Sequence, residues 1–317
     1  MSSTGAQGVD GILKAAMPLG DAGAPPRRKA NPRKKAVPYA LAAPAVLWLV
    51  LFFVIPSFFM FIVSLSSGTF PKLTFSITDP QWTNYTTTLK VYDTIYIRSV
   101  VYALIVALIT LTVAYPVAYW ISFYGGKRKN VYLLLLLLPF FVSFVLRTVQ
   151  FQFIFSDNGP IVGTLKNLHL VGPSFHILST PIAVILGISY NYLPFTALPI
   201  YVSLERIEPR LLEAGRDLYA GRWNTFWKVV WPLSIPGVFA AFLLTFVPAV
   251  GDYVNATILG GPGTTMIGVI IQTQFITNFA YPQGAALSFI LMLVLLVGAT
   301  LYSRALGTDA VMDAAGR

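Results

Sequence analysis

The 317-residue sequence has no cysteine, only two histidines, and charged side chains at 11% of positions. Without thiols there can be no disulfides and no thiolate metal sites. The histidines, His169 and His176, are seven residues apart and have no Cys or Glu at ligand spacing, so neither a metal site nor a cofactor is expected. Soluble domains carry about 25% charge. With 56% hydrophobic residues and a mean hydropathy of +0.70, this chain is a membrane protein. A phosphate-cradling loop is also lacking: the nearest lookalike, "GGKRKN" at 125–130, has neither the upstream glycine nor the hydroxyl residue of GxxxxGK[ST]. ATP hydrolysis by this chain alone is thereby excluded. There is no Ser/His/Asp set, Glu-x-x-His pair or pair of intramembrane carboxylates, so no catalytic residue is assigned.

What is present is a series of long apolar runs. A helix crossing a bilayer needs about 20 mostly apolar residues. Stretches at roughly 40–66, 100–122, 131–156, 180–203, 233–256 and 283–305 meet that length, which predicts an all-α, polytopic protein with six transmembrane helices. A seventh crossing within the uncharged run 253–303 is interrupted by "GGPG" at 260–263. The following residues, 264–279, include Thr264, Thr265, Gln272, Thr273, Gln274 and Asn278, too polar for lipid and expected to be interfacial or re-entrant.

Positive loops stay cytoplasmic. Seven Lys and Arg precede residue 37, three lie in 125–130, five in 204–228 and two after 303, placing 17 of the 22 on one side. Both termini are expected to be cytoplasmic, in a multi-pass protein. The net charge of +10 is accounted for by topology and membrane lipids, without nucleic acid. Residues 1–36, with "APPRRKANPRKK", read as a disordered basic tail, 37–306 as the membrane domain and 307–317 as a second tail. The charged lead is too long for a cleaved signal peptide. The outer segments 67–99 and 157–179 read as polar loops with turn signals. Pro56, Pro116, Pro139, Pro194, Pro199, Pro236 and Pro248 fall inside the spans, where kinks or plain packing irregularity are both open readings.

One stretch concentrates the charge that the spans lack: "EAGRDLYAGRWNTFWKVVWPLSIPG" at 213–237. Pro209 suits the first turn of a helix over 209–221 and Gly221 its end. Leu211, Leu212, Gly215, Leu218 and Tyr219 would share one face, and Arg210, Glu213, Arg216 and Asp217 another. Asn224 or Thr225 would cap a second helix running into Trp231-Pro232. Residues alone leave this segment, about 205–232, open between an interfacial amphipathic helix and a docking element.

The stretch resembles the EAA loop of ABC importer permeases, with Glu213, Ala214 and Pro232 at the family spacing and Val229 in place of Ile. Gly215 replaces the second Ala, Tyr219 the family Gly and Trp231 the Leu. "LPFFVSFVLRTVQ" at 138–150, "YNYLPFTALPIYVSLERIEPRLLEA" at 190–214, "GDYVNATILGGPGTTMIGVIIQTQF" at 251–275 and "YPQGAALSFILMLVLL" at 281–296 are similar to spermidine/putrescine-type permeases. The resemblance implies a type I ABC importer permease fold that pairs with a second permease subunit. It further implies docking of Glu213, Ala214, Gly215, Arg216, Asp217, Leu218 and Gly221 onto a cytoplasmic ATP-binding subunit, delivery of solute by an external solute-binding protein, and an outer-face position for 264–279. Polyamines are the implied cargo; ferric iron, phosphonates or another small solute share much of the pattern. A self-sufficient secondary transporter would need several intramembrane carboxylates or an inverted repeat, and neither is evident.

A polycation path should offer carboxylates and aromatic faces. Asp252, Tyr253, Tyr190 and Tyr192 are candidates, together with Arg147, expected to pair with Asp252 or to position nearby carbonyls. Counted along straight helices, Arg147 and Asp252 fall near the outer boundary, where reaching interfacial water is the competing reading.

Overall fold

The computed structural model describes residues 42–68, 71–76, 79–219 and 221–305, without the side chains of residues 216, 219 and 305. The expected tails, 1–36 and 307–317, lie outside the described residues. Among these residues the structure is helical, with a single isolated bridge between Ser67 and Thr74. The chain divides into two units, Met1–Phe58 and Phe59–Arg317. In the first, the described residues belong to the apolar helix α1, Ala42–Ser64. It contains a π-helical segment, Val50–Val54, just ahead of Pro56. Its 23 residues give about 35 Å at 1.5 Å per residue, enough to cross the roughly 30 Å hydrocarbon layer.

The second unit is built on three long helices. α2, Thr83–Tyr124, runs for 42 residues, about 63 Å and twice the hydrocarbon thickness. The expected loop 67–99 is therefore half helix. Polar residues there hid the helical period, but Thr88, Tyr96 and Ser99 all turn inward. α2 packs along α6, Pro181–Glu205, and α8, Arg222–Val250. Small residues make the close approach possible: Ala103, Ala107, Ala114 and Ala118 form a buried stripe on α2, facing a bundle that includes Ala197 and Ala241. This is how helices associate where lipid removes the hydrophobic driving force. Buried polar pairs add register, including Thr196 with Thr245 at 2.7 Å and Tyr115 with Ser234 at 2.9 Å.

The third expected span, 131–156, is broken. α3, Lys129–Leu137, is continued by a 3-10 turn, Leu138–Phe141, and α4, Phe144–Phe155, leaves at 87°. Val142 and Ser143 carry the change with extended ψ values of 135° and 138°. This overturns the straight count that placed Arg147 at the outer boundary. Lys129, at the start of α3, forms an ion pair with Glu205 at the end of α6. A short helix, α5 (Val162–Asn167), lies in the next loop, where Lys166 pairs with Asp157 at 3.3 Å. His169 and His176 are both exposed there, and no group of three metal-ligating side chains occurs among the described residues.

The charged loop forms α7, Pro209–Tyr219, as its Pro209 start predicts. Three details differ from expectation. Gly221 is extended, with φ −166°, a conformation open to any residue, and it precedes α8. Asn224 and Thr225 lie inside α8 and do not cap it; the Thr225 hydroxyl donates to the Gly221 carbonyl at 3.0 Å. The expected apolar face is not buried as a unit, because Leu211 and Leu218 are exposed while Gly215 is buried and Leu212 half-buried.

α8 ends at Val250, short of the expected 256, and the chain resumes helix as α9, Val254–Leu259. Then follow α10, Ile267–Ile276, and α11, Tyr281–Ala305. Ten residues in α10 span about 15 Å, half the hydrocarbon thickness, so 264–279 is no seventh crossing. Among the described residues five helices are long and apolar enough to cross a membrane, and the bent α3–α4 pair, taken as one span, makes a sixth. α10 begins against the α8–α9 break: a Cβ on Gly268 would collide with the Gly251 carbonyl. Glycine at 268 thus lets two backbones touch beside Asp252. Pro116, Pro194, Pro199, Pro236 and Pro248 sit inside continuous helices, whereas Pro139 adjoins the sharp break.

Candidate functional site

Both interruptions converge on one buried cluster. The turn at Val142–Ser143 directs α4 inward with Arg147 and Thr148, the α8–α9 break supplies Asp252 and Asn255, and α6 contributes Asn191. Asp252 accepts from the Asn255 backbone N–H through Oδ1 and from Asn255 Nδ2 through Oδ2, both at 2.8 Å. Asn255 Oδ1 in turn accepts from Asn191 Nδ2 at 3.0 Å and from the Thr148 hydroxyl at 3.0 Å. Asn191 Nδ2 also donates to Thr148 Oγ1 at 3.1 Å. The result is a continuous polar chain across α4, α6 and α9. Thr148, Asn191 and Asn255 were not singled out from sequence. Each is a short polar side chain within an apolar run, and Asn191 lies between two tyrosines that were.

Arg147 and Asp252 are each 5% exposed, so neither reaches interfacial water as the competing reading supposed. Nor do they pair: no ion pair joins them, and Arg147 Nε and Nη1 have no partner among the described residues. The expected carbonyl contacts are likewise not made by those two atoms. The guanidinium stands 5.8 Å from the centroid of the Phe144 ring. Ser189 Oγ and Asn191 Oδ1 are also buried without a partner. Among the described residues the other buried side-chain atom without a partner is Gln283 Oε1, so four of the five belong to Arg147, Ser189 and Asn191, a concentration unusual for polar groups in a bundle. Of the tyrosines, Tyr192 is half-buried and contacts Phe144 at 6.1 Å between ring centroids, Tyr190 packs on Phe151 at 4.8 Å, and Tyr253 is exposed. The structure brings Tyr192 to the cluster and leaves Tyr253 on the surface.

At the other candidate site, Glu213, Ala214, Asp217 and Leu218 are exposed along α7, with Leu218 at 77%. Gly215 points the other way. Its Cβ would lie 3.0 Å from Thr225 Cγ2 and 3.1 Å from Val229 Cγ2. Two β-branched residues on α8 thus occupy the room that a second Ala would need, so Gly215 belongs to the α7–α8 joint and not to the exposed surface. Gly215→Ala gains up to about 1 kcal/mol of helix propensity but crowds the joint at a cost of about 1–3 kcal/mol. It should lower the thermal stability of the purified protein. Adding Thr225→Ser, which removes the nearer methyl, should recover much of the loss in the same melting experiment, and a purely additive double variant would show that the two sites are not coupled.

A family described as the binding-protein-dependent transport system inner membrane component matches residues 114–306. The chain belongs to that family. The match begins within α2 and covers both breaks, the polar cluster and α7. The chain is accordingly a transport subunit and not an enzyme, a multi-pass membrane protein that works with the other components of an ABC transporter. Among its relatives is the spermidine/putrescine transport system permease protein PotB of Escherichia coli (strain K12), 33% identical over 262 residues, or 81% of this chain and 94% of that protein. Another is the inner membrane ABC transporter permease protein YdcU of the same organism, 31% identical over 175 residues, 51% of this chain and 52% of that protein. The fold is shared with a chain of a bacterial alginate ABC transporter crystallised with an alginate pentasaccharide-bound periplasmic protein. That comparison gives a TM-score of 0.65 at 18% identity and covers 86% of this chain and 94% of the other. At such identity it speaks to the fold alone. In this chain the α3–α4 break and the α8–α9 break are what set Arg147 and Asp252, respectively, inside the bundle.

Proposed function

We propose that this permease carries polyamines, putrescine or spermidine, inward across the cytoplasmic membrane, driven by a separate ATP-binding subunit. The observation that carries the cargo assignment is similarity over 94% of the length of a spermidine/putrescine permease. Asp252 supports it, as a buried carboxylate in a cluster that also holds the half-buried aromatic Tyr192, and charge together with π surface is what an alkylammonium favours. Thr148, Asn191 and Asn255 extend the polar path, and the unpartnered atoms of Arg147, Ser189 and Asn191 are those that a hydrated route would engage. Tyr190, packed on Phe151, flanks it, whereas Tyr253 stays on the surface. Uptake of labelled putrescine in cells carrying the full transporter should be competed by spermidine and left unchanged by ferric citrate or a phosphonate; the reverse pattern would reassign the cargo.

In this reading α7 docks on the ATPase through Glu213, Ala214, Asp217 and Leu218, an apolar knob flanked by carboxylates, with Arg216 part of the same motif. A charge-assisted hydrogen bond there contributes about 1.5–3 kcal/mol. A second permease completes the path, and an external binding protein loads it from the side of α5 and α10.

The orientation is part of the proposal: both termini cytoplasmic, from the distribution of 17 of 22 basic residues. Single cysteines introduced at Ser2, Asn167 and Thr308 of this Cys-free chain report it directly. An impermeant thiol reagent added to intact cells should label position 167 and spare 2 and 308; labelling of the ends with protection of 167 would invert the assignment.

A further inference from the structure

A second recess lies away from the polar cluster, between the end of α2 and the α7–α8 joint, with a volume of about 260 Å³. Its walls are mixed. Ser122 and Tyr124 present hydroxyls from α2, Phe123, Phe226 and Leu212 present apolar surface, and Arg222 supplies a cation. No carboxylate lines it, and no ion pair engages Arg222 among the described residues. Beside it α8 displays Trp223, 71% exposed, and Trp227, 47% exposed, whose rings meet at 5.7 Å between centroids. On α2, Trp120 and Tyr124 are exposed as well. Exposed Trp and Tyr around a span end mark the depth of the lipid headgroups. A basic recess between helices at that depth is suited to an anionic phosphate, and its apolar walls to the glycerol and first methylenes attached to it.

We propose that this recess binds the headgroup of an anionic glycerophospholipid, phosphatidylglycerol or one of similar charge, with the phosphate held by Arg222 and the α2 hydroxyls. The aromatic rim distinguishes a lipid from a soluble phosphate, which would gain nothing from the tryptophans. Occupancy ties the α7–α8 joint to the end of α2. The leaflet's composition would then bear on how firmly the joint is held. The proposal does not depend on which solute the permease carries.

The test uses the assembled transporter, freed of bound lipid and titrated with phosphatidylglycerol or phosphatidylcholine under native mass spectrometry. The parent complex should take up the first phosphatidylglycerol at lower concentration than phosphatidylcholine. Arg222→Ala should weaken that step about fivefold, the weight of one basic side chain near an anionic surface, while leaving phosphatidylcholine unchanged. Arg222→Lys should retain most of the preference, and Ser122→Val, which keeps the cation, should weaken it in the same lipid-selective way. The complex mass in each spectrum shows that the variants still assemble. Identical phosphatidylglycerol titrations for the parent and Arg222→Ala would overturn the proposal. So would displacement of the lipid by glycerol 3-phosphate at comparable concentration, which would make the recess a site for soluble phosphate.

Discussion

Uptake of putrescine or spermidine by Asp252→Asn should fall about 10- to 100-fold, the equivalent of the roughly 1.5–3 kcal/mol carried by a hydrogen bond to a charged group. The substitution separates two roles. Asp252 Oδ1 receives the Asn255 backbone N–H at the start of α9, a local structural function that the amide oxygen of asparagine can also perform. The charge is what is lost, together with acceptance at Oδ2 from Asn255 Nδ2. Membrane levels of the protein, followed by immunoblot, should therefore stay near those of the parent while transport drops. Parent-like uptake would show that the carboxylate serves only to start α9. A loss of the protein itself would point to Asp252 as a structural residue.

The second large effect is expected at Arg147. A charge at the centre of a membrane span costs about 2.5–3.5 kcal/mol on insertion scales, and Arg147, buried in an apolar segment, recovers nothing through Nε or Nη1. Arg147→Met keeps much of the volume and removes that cost. The purified protein should unfold at a higher temperature, yet uptake should fall at least about tenfold, equivalent to about 1.4 kcal/mol. Opposite signs in the two measurements are the mark of a group whose burial opposes stability and serves function. If stability fell along with transport, Arg147 would instead be a packing element whose guanidinium matters to the fold.

These two residues show where the sequence could be read and where it could not. Both were visible as charges interrupting apolar runs, because hydropathy registers a single Arg or Asp against Leu and Phe. Their surroundings were not. The bend after Phe141 lies within "LPFFVSFV", apolar but for Ser143, and a composition window takes no account of backbone dihedrals. Counting about 1.5 Å per residue assumes a straight helix, and the 87° bend removes that premise for Arg147. The polar chain joins Thr148 to Asn255 across 107 residues and Asn191 to Asn255 across 64, and no local period encodes such pairings. α2 failed in the opposite sense: its first turns are polar enough to look like a loop, although their inward face is continuous with the span. In α7 the start at Pro209 is legible because proline fixes φ, whereas helical period and motif position place Gly215 on a face without showing what it meets. Its real constraint, the methyls of Thr225 and Val229, comes from the neighbouring helix.

The most direct test of the account is transport in proteoliposomes containing this permease with its partner permease and ATPase, supplied with the solute-binding protein and labelled spermidine. Accumulation should require ATP on the α7 side and the binding protein on the other, and Glu213→Arg should abolish it while leaving the membrane subunits inserted. Accumulation driven by a proton or sodium gradient without the ATPase, or undiminished ATP-driven uptake by Glu213→Arg, would contradict it.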